Sequence, residues 1–241
     1  IAPGAMYSGT SGMLDRIMED ELYNIRRVET VDYIGYSIEH GCYVLGDVAV
    51  KDGSFHDLNN EDFFDIGKLS LKSLNKSVSL RINRKADEYR RDWPDLLWTA
   101  FGSKGLAALT YWFGSLFAEQ IRSIHSSYPF LEIVGEAGAG KSTLIEFLWK
   151  LFGRPGYEGF DPSKSSLAAR ARNFAQVSGL PVVLIESDRE RIEGNNPHVR
   201  SFDWDELKTA YNGRSVRARG MATGGNETYE PPFRGSVVIS Q

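Results

Sequence analysis

A glycine-rich motif in the middle of the chain carries its clearest chemistry. Residues 135–142 read GEAGAGKS and match GxxxxGK[ST], the pattern of a phosphate-binding loop. A β-prone apolar run precedes the motif, and a run with apolar residues at helical spacing follows it. The glycines let backbone N–H groups converge on a phosphate, and the helix adds the positive end of its dipole. Strand, glycine turn and helix together predict a nucleoside triphosphate site rather than a chance Gly-rich turn.

The residue types of the loop assign a role to its individual positions. The predicted nucleotide-binding residues are Gly135, Glu136, Ala137, Gly138, Ala139, Gly140, Lys141, Ser142 and Thr143. The ammonium of Lys141 is expected to act in catalysis by reaching the β- and γ-phosphates, and the hydroxyl of Ser142 to bind Mg²⁺.

A second, acidic motif is predicted to complete the metal site. Mg²⁺-dependent hydrolysis needs a carboxylate near the metal and a group that orients water. The apolar run Val182–Ile185 leads into Glu186, Ser187 and Asp188, and ligands of open α/β sheets collect at the carboxyl ends of strands. Glu186 is the predicted metal ligand and catalytic acid, and Asp188 is a second catalytic candidate. The alternative is an ordinary strand that ends in solvated acids, because Ser187 stands where a second adjacent acid is usual.

Composition limits the class of protein. The chain has 241 residues and a formal net charge of −4, so any contact with nucleic acid must come from a local patch. Its one cysteine, Cys42, allows no internal disulfide. The longest uncharged stretch, Gly105–Ala118, is too short for a membrane-spanning helix. We expect a cytoplasmic protein that makes no membrane contact.

Hydrophobic periodicity predicts a β-rich first unit over residues 1–91. Apolar residues alternate with polar ones from Ile34, and turn signals recur downstream. These patterns predict a small antiparallel sheet over residues 32–83, with strands at 68–74 and 77–83.

A helical unit is predicted over residues 92–128. Proline at the first helical position starts a helix over Pro94–Phe101. A second helix is predicted over Leu106–Ile124, and because it is apolar almost all round it should be buried against the nucleotide-binding core.

The third predicted unit, residues 129–241, contains the nucleotide loop. Beyond the loop the patterns predict a helix over 163–177, the strand Val182–Ile185, a helix over 204–211, a β-hairpin around Gly224 and Gly225, and a final strand at 236–241. Strands that alternate with helices around a phosphate loop predict an α/β fold with a parallel sheet flanked by helices.

Four segments together resemble the superfamily 3 replicative helicases of AAA+ type, in particular their phage and plasmid primase-associated branch. These segments are GEAGAGKS, VVLIESD, ELK followed by RAR, and PPFRGSVVIS. The resemblance covers residues 105–241. It implies an AAA+-type parallel sheet, preceded here by the small antiparallel segment, and ATP with Mg²⁺ as cofactors.

The resemblance also implies partners and further site residues. The family forms hexameric rings, hydrolyses ATP between subunits and moves single-stranded DNA, and some members carry a primase. The implied DNA-binding residues are Lys208, Arg217 and Arg219, to which the local charge adds Arg214. The implied sensor residue is Gln241. The family's arginine finger and C-terminal helices would follow Gln241, so a fragment that ends here is expected to bind ATP and to hydrolyse it weakly or not at all.

Local charge agrees with a DNA contact but does not require it. Arg217 and Arg219 are two apart, so on a strand they face the same side, as phosphate binding requires. A solvated edge strand protected by its charges explains the same residues. The resemblance favours DNA.

Three functions therefore compete at the level of sequence. The first is an ATP-driven DNA helicase, and the second is a nucleotide-switched AAA+ loader, assembly or defence protein that acts on protein partners. The third, a small-molecule kinase or GTPase, is the least favoured, because no guanine-reading [NT]KxD motif follows Ser142.

Overall fold

A computed structural model describes residues 8–23, 25–185, 202, 204–216, 219–220 and 228–241. The strands among these residues are β1 (Glu29–Val31), β2 (Ile34–Ser37), β3 (Cys42–Val44), β4 (Val48–Lys51), β5 (Ser54–Asp57), β6 (Phe64–Ile66), β7 (Leu69–Ser73), β8 (Leu131–Ile133), β9 (Val177–Ile185), β10 (Arg219–Gly220), β11 (Thr228–Tyr229) and β12 (Arg234–Ser240). The α-helices are α1 (Ser11–Leu22), α2 (Trp93–Ser115), α3 (Ala118–His125), α4 (Lys141–Leu151), α5 (Leu167–Ala175) and α6 (Lys208–Tyr211). Short 3₁₀ turns cover Ala86–Glu88, Pro162–Lys164 and Trp204–Leu207.

One mixed sheet of seven strands organises the fold, in the order β5-β4-β3-β2-β9-β12-β8. The pairs from β5 to β2 are antiparallel, and the pairs from β2 through β9 and β12 to β8 are parallel. The prediction of an AAA+-type parallel sheet with a separate antiparallel segment before it is therefore wrong. The early strands instead extend the parallel strands into one β-rich sheet. The boundaries at residues 91 and 128 stay a prediction.

The joint between the two halves of the sheet is a close contact between β2 and β9. Ile34 pairs with Val177 and Gly35 with Ser178. Gly35 has a φ of +118°, and a Cβ at this position would lie 1.7 Å from the carbonyl oxygen of Ser178. The hydroxyl of Ser178 donates a 2.5 Å hydrogen bond to the carbonyl of Tyr36. Only a residue without a side chain lets the two strands approach this closely.

A second, smaller sheet covers part of the antiparallel half. It has the order β1-β7-β6. Buried side chains form a separate apolar cluster there: Val31, Tyr33, Cys42, Val44, Ala49, Phe64, Ile66 and Leu71. Cys42 is a buried member of this cluster, as expected for a small apolar side chain.

The predicted strand at 77–83 does not form. Within it, only Leu80 makes an isolated bridge, to Gly46. The side chain of Asn75 accepts hydrogen bonds from the backbone N–H groups of Ser77 and Val78, which turns the chain out of the sheet.

The main core lies where the helices meet the parallel strands. α2, α3 and α5 contact β9, α3 also contacts β12, and α4 packs beside α2. Trp112 of α2 and Trp149 of α4 are fully buried and meet edge to face, with ring centroids 5.6 Å apart. This aromatic pair joins α4, which follows the glycine-rich loop, to α2.

The helices differ from prediction in extent and burial. The first predicted helix does end at Phe101, because Gly102 has a φ of +56° and breaks α2 internally. The second is interrupted between Ser115 and Ala118, where α3 begins. Its predicted full burial is wrong, since three side chains on its outer face are 37%, 45% and 52% exposed: Leu106, Phe113 and Phe117.

The segment from 163 to 185 also differs from prediction. The predicted helix over 163–177 is shorter, and consists of a 3₁₀ turn and α5. β9 begins at Val177, earlier than expected, and contains Gly179 with a φ of +61°. The register of β9 against β12 shifts in the same region, so the glycine marks an irregularity within a strand rather than the end of a helix.

None of the helices in the described parts of the chain is long and apolar enough to cross a membrane.

Candidate nucleotide-binding site

The glycine-rich loop joins β8 directly to α4, as the motif requires. Gly138 and Gly140 have φ values of +80° and +84°, a conformation that residues with a side chain rarely adopt. Gly140 is the N-cap of α4, and the N–H of Leu144 donates to its carbonyl at 2.9 Å. Residues 136–139, Ser142 and Thr143 are exposed. The structure therefore brings all the predicted nucleotide-binding residues together at one helix N-terminus.

The ammonium of Lys141 folds back over the loop. It donates to the carbonyl of Gly135 at 2.5 Å and to the carbonyl of Glu136 at 3.0 Å. These two carbonyls hold the half-buried cation at the loop. A triphosphate would offer the same cation stronger, negatively charged acceptors.

The three parallel strands end side by side at the loop. Ile133 of β8 pairs with Ser240 of β12, which in turn pairs with Ile185 of β9. With neighbouring strands about 4.8 Å apart, the ends of β8 and β9 are separated by roughly 10 Å. Glu186 follows Ile185 in sequence, but Glu186 and Asp188 lie outside the described residues. Their predicted roles in catalysis and metal binding stay predictions.

Gln241 lies beside the start of the loop. Its N–H donates to the carbonyl of Ile133 at 3.0 Å, and its carbonyl accepts from the N–H of Gly135 at 3.4 Å. These bonds extend the pairing of β12 and β8 by one residue. The backbone therefore holds the predicted sensor residue next to the phosphate loop, and its exposed side chain projects from that point.

The first half of α2 packs along α4 and reaches the loop. A methyl group placed on Gly140 would lie 3.3 Å from Cε1 of Phe101. Farther along both helices, the rings of Trp93 and Phe147 are 6.0 Å apart. Sequence reasoning missed this contact, because the helical periodicity of residues 94–101 does not indicate which element the helix meets.

The predicted DNA-binding residues are only partly described. Lys208 lies on α6, where its ammonium is 2.8 Å from the carboxylate of Asp205 and both side chains are exposed. Arg214 is exposed just beyond α6. Arg217 lies outside the described residues, and of Arg219 only the backbone, in β10, is described. β10 pairs antiparallel with β11, so the predicted hairpin forms.

A buried arginine fixes the elements at the base of this hairpin. Arg122 of α3 is 8% exposed and donates to the carbonyls of Ala210 and Tyr211 at 3.2 and 3.4 Å. Its guanidinium carbon lies 5.7 Å from the ring of Tyr128 and 5.3 Å from the ring of Phe233. Burial lowers the pKa of Arg122. It ties α3 to α6 and to the start of β12.

A half-buried ion pair joins Glu119 of α3 to Arg234 of β12. An oxygen of Glu119 is 3.9 Å from Nε of Arg234, and the other oxygen lies 3.3 Å from the hydroxyl of Ser178. Burial raises the pKa of Glu119, although Arg234 and Ser178 act in the opposite direction. The guanidinium of Arg234 also lies 4.6 Å from the ring centroid of Tyr33. This pair holds β12 to α3 and to the β2–β9 joint.

The described residues contain no cluster of three or more His, Cys, Asp or Glu side chains able to hold a metal ion. The hydroxyl of Ser142, exposed in the first turn of α4, would be one ligand of a Mg²⁺ at this loop, and the predicted acid ligand Glu186 lies outside the described residues.

Comparison of the chain with protein-family models, curated proteins and solved structures finds no match.

Proposed function

We propose that this chain binds ATP with Mg²⁺ at residues 135–143 and that ATP hydrolysis drives movement on single-stranded DNA. The observation that carries the proposal is the loop itself. Two glycines with positive φ lie between a parallel strand and a helix N-terminus. The ammonium of Lys141, the first residue of that helix, folds back onto the loop. Backbone N–H groups of the loop, a helix dipole and an ammonium at one place favour a polyphosphate over other anions.

The side-by-side ends of three strands support the hydrolysis part of the proposal. β8 carries the loop, β12 leads to Gln241, and β9 leads to the acidic segment. Glu186 would bind the metal or orient water, with Asp188 as the other candidate acid, and Gln241 would report on the γ-phosphate. The hexameric ring and a primase partner remain predictions from the sequence resemblance.

The DNA part of the proposal is tested by removing two arginines. Arg217→Ala with Arg219→Ala should weaken binding of the 241-residue chain to a labelled oligonucleotide. The logarithm of the DNA-binding constant falls linearly with the logarithm of the salt concentration. Each lost phosphate contact should reduce the steepness of that line by about 0.7 for single-stranded nucleic acid. Fluorescence anisotropy over a range of salt concentrations measures both quantities.

A matched control is the pair Arg90→Ala with Arg91→Ala, which changes the net charge equally. Both residues are exposed, and Arg90 pairs with Asp92. The control should retain DNA binding. Equal losses in both double variants would mean that the DNA responds only to net charge, which contradicts a hairpin site.

A nucleotide-switched protein that acts on protein partners is the second candidate. Exposed apolar side chains favour it: Met13, Ile17, Phe113 and Phe117 are 61%, 51%, 45% and 52% exposed. Retained ATP binding together with unchanged DNA affinity in the Arg217 and Arg219 double variant would favour this second function.

A further inference from the structure

Two aromatic side chains lie on one face of the helix that borders the nucleotide loop. Trp98 and Phe101 are three residues apart in α2, so they are neighbours on the helix surface. The face next to them carries Leu97, which is 3% exposed and anchors the helix in the core. Trp98 is 55% exposed, so most of its indole remains available for a contact.

The packing of α2 on α4 sets the position of these two side chains along the axis of α4. Phe101 lies against Gly140 at the N-terminus of α4, whereas Trp93 lies against Phe147. The first half of α2 therefore runs antiparallel to α4. Each residue advances about 1.5 Å along a helix, so Trp98 is roughly 4.5 Å below Phe101 along the axis. This puts Trp98 at the height of the first turn of α4, which carries Thr143, on the helix face next to the buried Leu97.

The base of a nucleotide bound at this loop needs an apolar surface to pack against, and Trp98 is positioned to offer one. The loop N–H groups and Lys141 serve the phosphates, and none of them offers an apolar surface. Trp and Phe rings do, and stacking on them accepts any base because every base has a π-face. An exposed tryptophan ring at the edge of a phosphate site gains more from stacking on a base than from contact with solvent.

We propose that Trp98 and Phe101 form the base-binding wall of this site, with the nucleobase stacked on Trp98 and Phe101 closing the side next to Gly140. The inference rests on the proposed function, because it assigns the base end of the same nucleotide. The ligand class is a purine nucleoside triphosphate, since the larger purine ring gains more from stacking than a pyrimidine.

The experiment compares Mg²⁺-ATP with Mg²⁺-tripolyphosphate, which has the phosphates but no base. Isothermal titration calorimetry on the 241-residue chain measures both affinities. Trp98→Ala should weaken ATP binding roughly tenfold and leave tripolyphosphate binding unchanged. Trp98→Phe keeps an aromatic face and should retain most of the ATP affinity.

Leu96→Ala is the matched control, because Leu96 is 61% exposed on the same helix and faces another direction. It should change neither affinity. Unchanged ATP binding in Trp98→Ala, or equal weakening of both ligands, overturns the base wall. A wild-type chain that binds tripolyphosphate as tightly as ATP overturns the wall and leaves the phosphate site intact. A wild-type chain that binds neither ligand refutes the proposed function as well.

Discussion

Lys141→Ala should weaken ATP binding about ten- to 100-fold, the usual value of a charge-assisted hydrogen bond. Whatever ATP hydrolysis the unaltered protein shows should fall at least roughly 100-fold, because a positioned cation at the transferred phosphate contributes on that order to catalysis. Lys141 donates to the carbonyls of Gly135 and Glu136, so its ammonium is already at the site. Calorimetry with Mg²⁺-ATP and a phosphate-release assay measure the two effects.

The control for this variant is Lys150→Ala, at the opposite end of the same helix. Lys150 is exposed in the last turn of α4, so its loss changes the charge of the helix without touching the loop. It should keep the affinity and the rate of the unaltered chain. Equal behaviour of the two lysine variants would falsify the phosphate site.

Gly35→Ala should destabilise the protein by at least ~3 kcal/mol, since it combines backbone strain with a severe overlap. The new Cβ would lie 1.7 Å from the carbonyl oxygen of Ser178, and the φ of Gly35 is +118°. The β2–β9 joint would have to open, and the antiparallel half of the sheet would lose its attachment to the half that carries the glycine-rich loop. Urea unfolding, followed by circular dichroism, measures the loss.

Gly53→Ala separates strain from overlap. Gly53 also has a positive φ, of +75°, but a Cβ there would meet nothing within 4 Å. Only the conformational cost remains, about 1 kcal/mol. If both glycine variants unfold at the same urea concentration, the close approach of β2 to β9 is not present in solution.

Local patterns in the sequence predicted individual elements well. The glycine-rich loop between strand and helix forms as expected, because its motif specifies both its own backbone conformation and its two flanks. The helix break after Phe101 and the strand of β7 also follow from local signals. These features depend on residues that are close together in the chain, so the sequence alone is enough to predict them.

Partners of those elements were not predictable in the same way. The alternation of Ile34, Tyr36 and Ile38 predicted a strand, but it carries no information on whether the next strand is parallel or antiparallel. β2 pairs in parallel with β9, more than a hundred residues later, and Gly35 and Ser178 permit it. Local sequence signals relate only strands that are neighbours in the chain, so they predict a separate antiparallel segment.

The amino-acid sequence alone determined the phosphate loop and the residue types expected to serve it, because glycine conformation, a helix start and a following Lys-Ser pair are local properties. Tertiary structure decided the mixed sheet, the side-by-side ends of β8, β12 and β9, and the packing of α2 on α4. Each of these depends on packing between distant segments, where the shape of buried side chains and the absence of one at Gly35 select the partner.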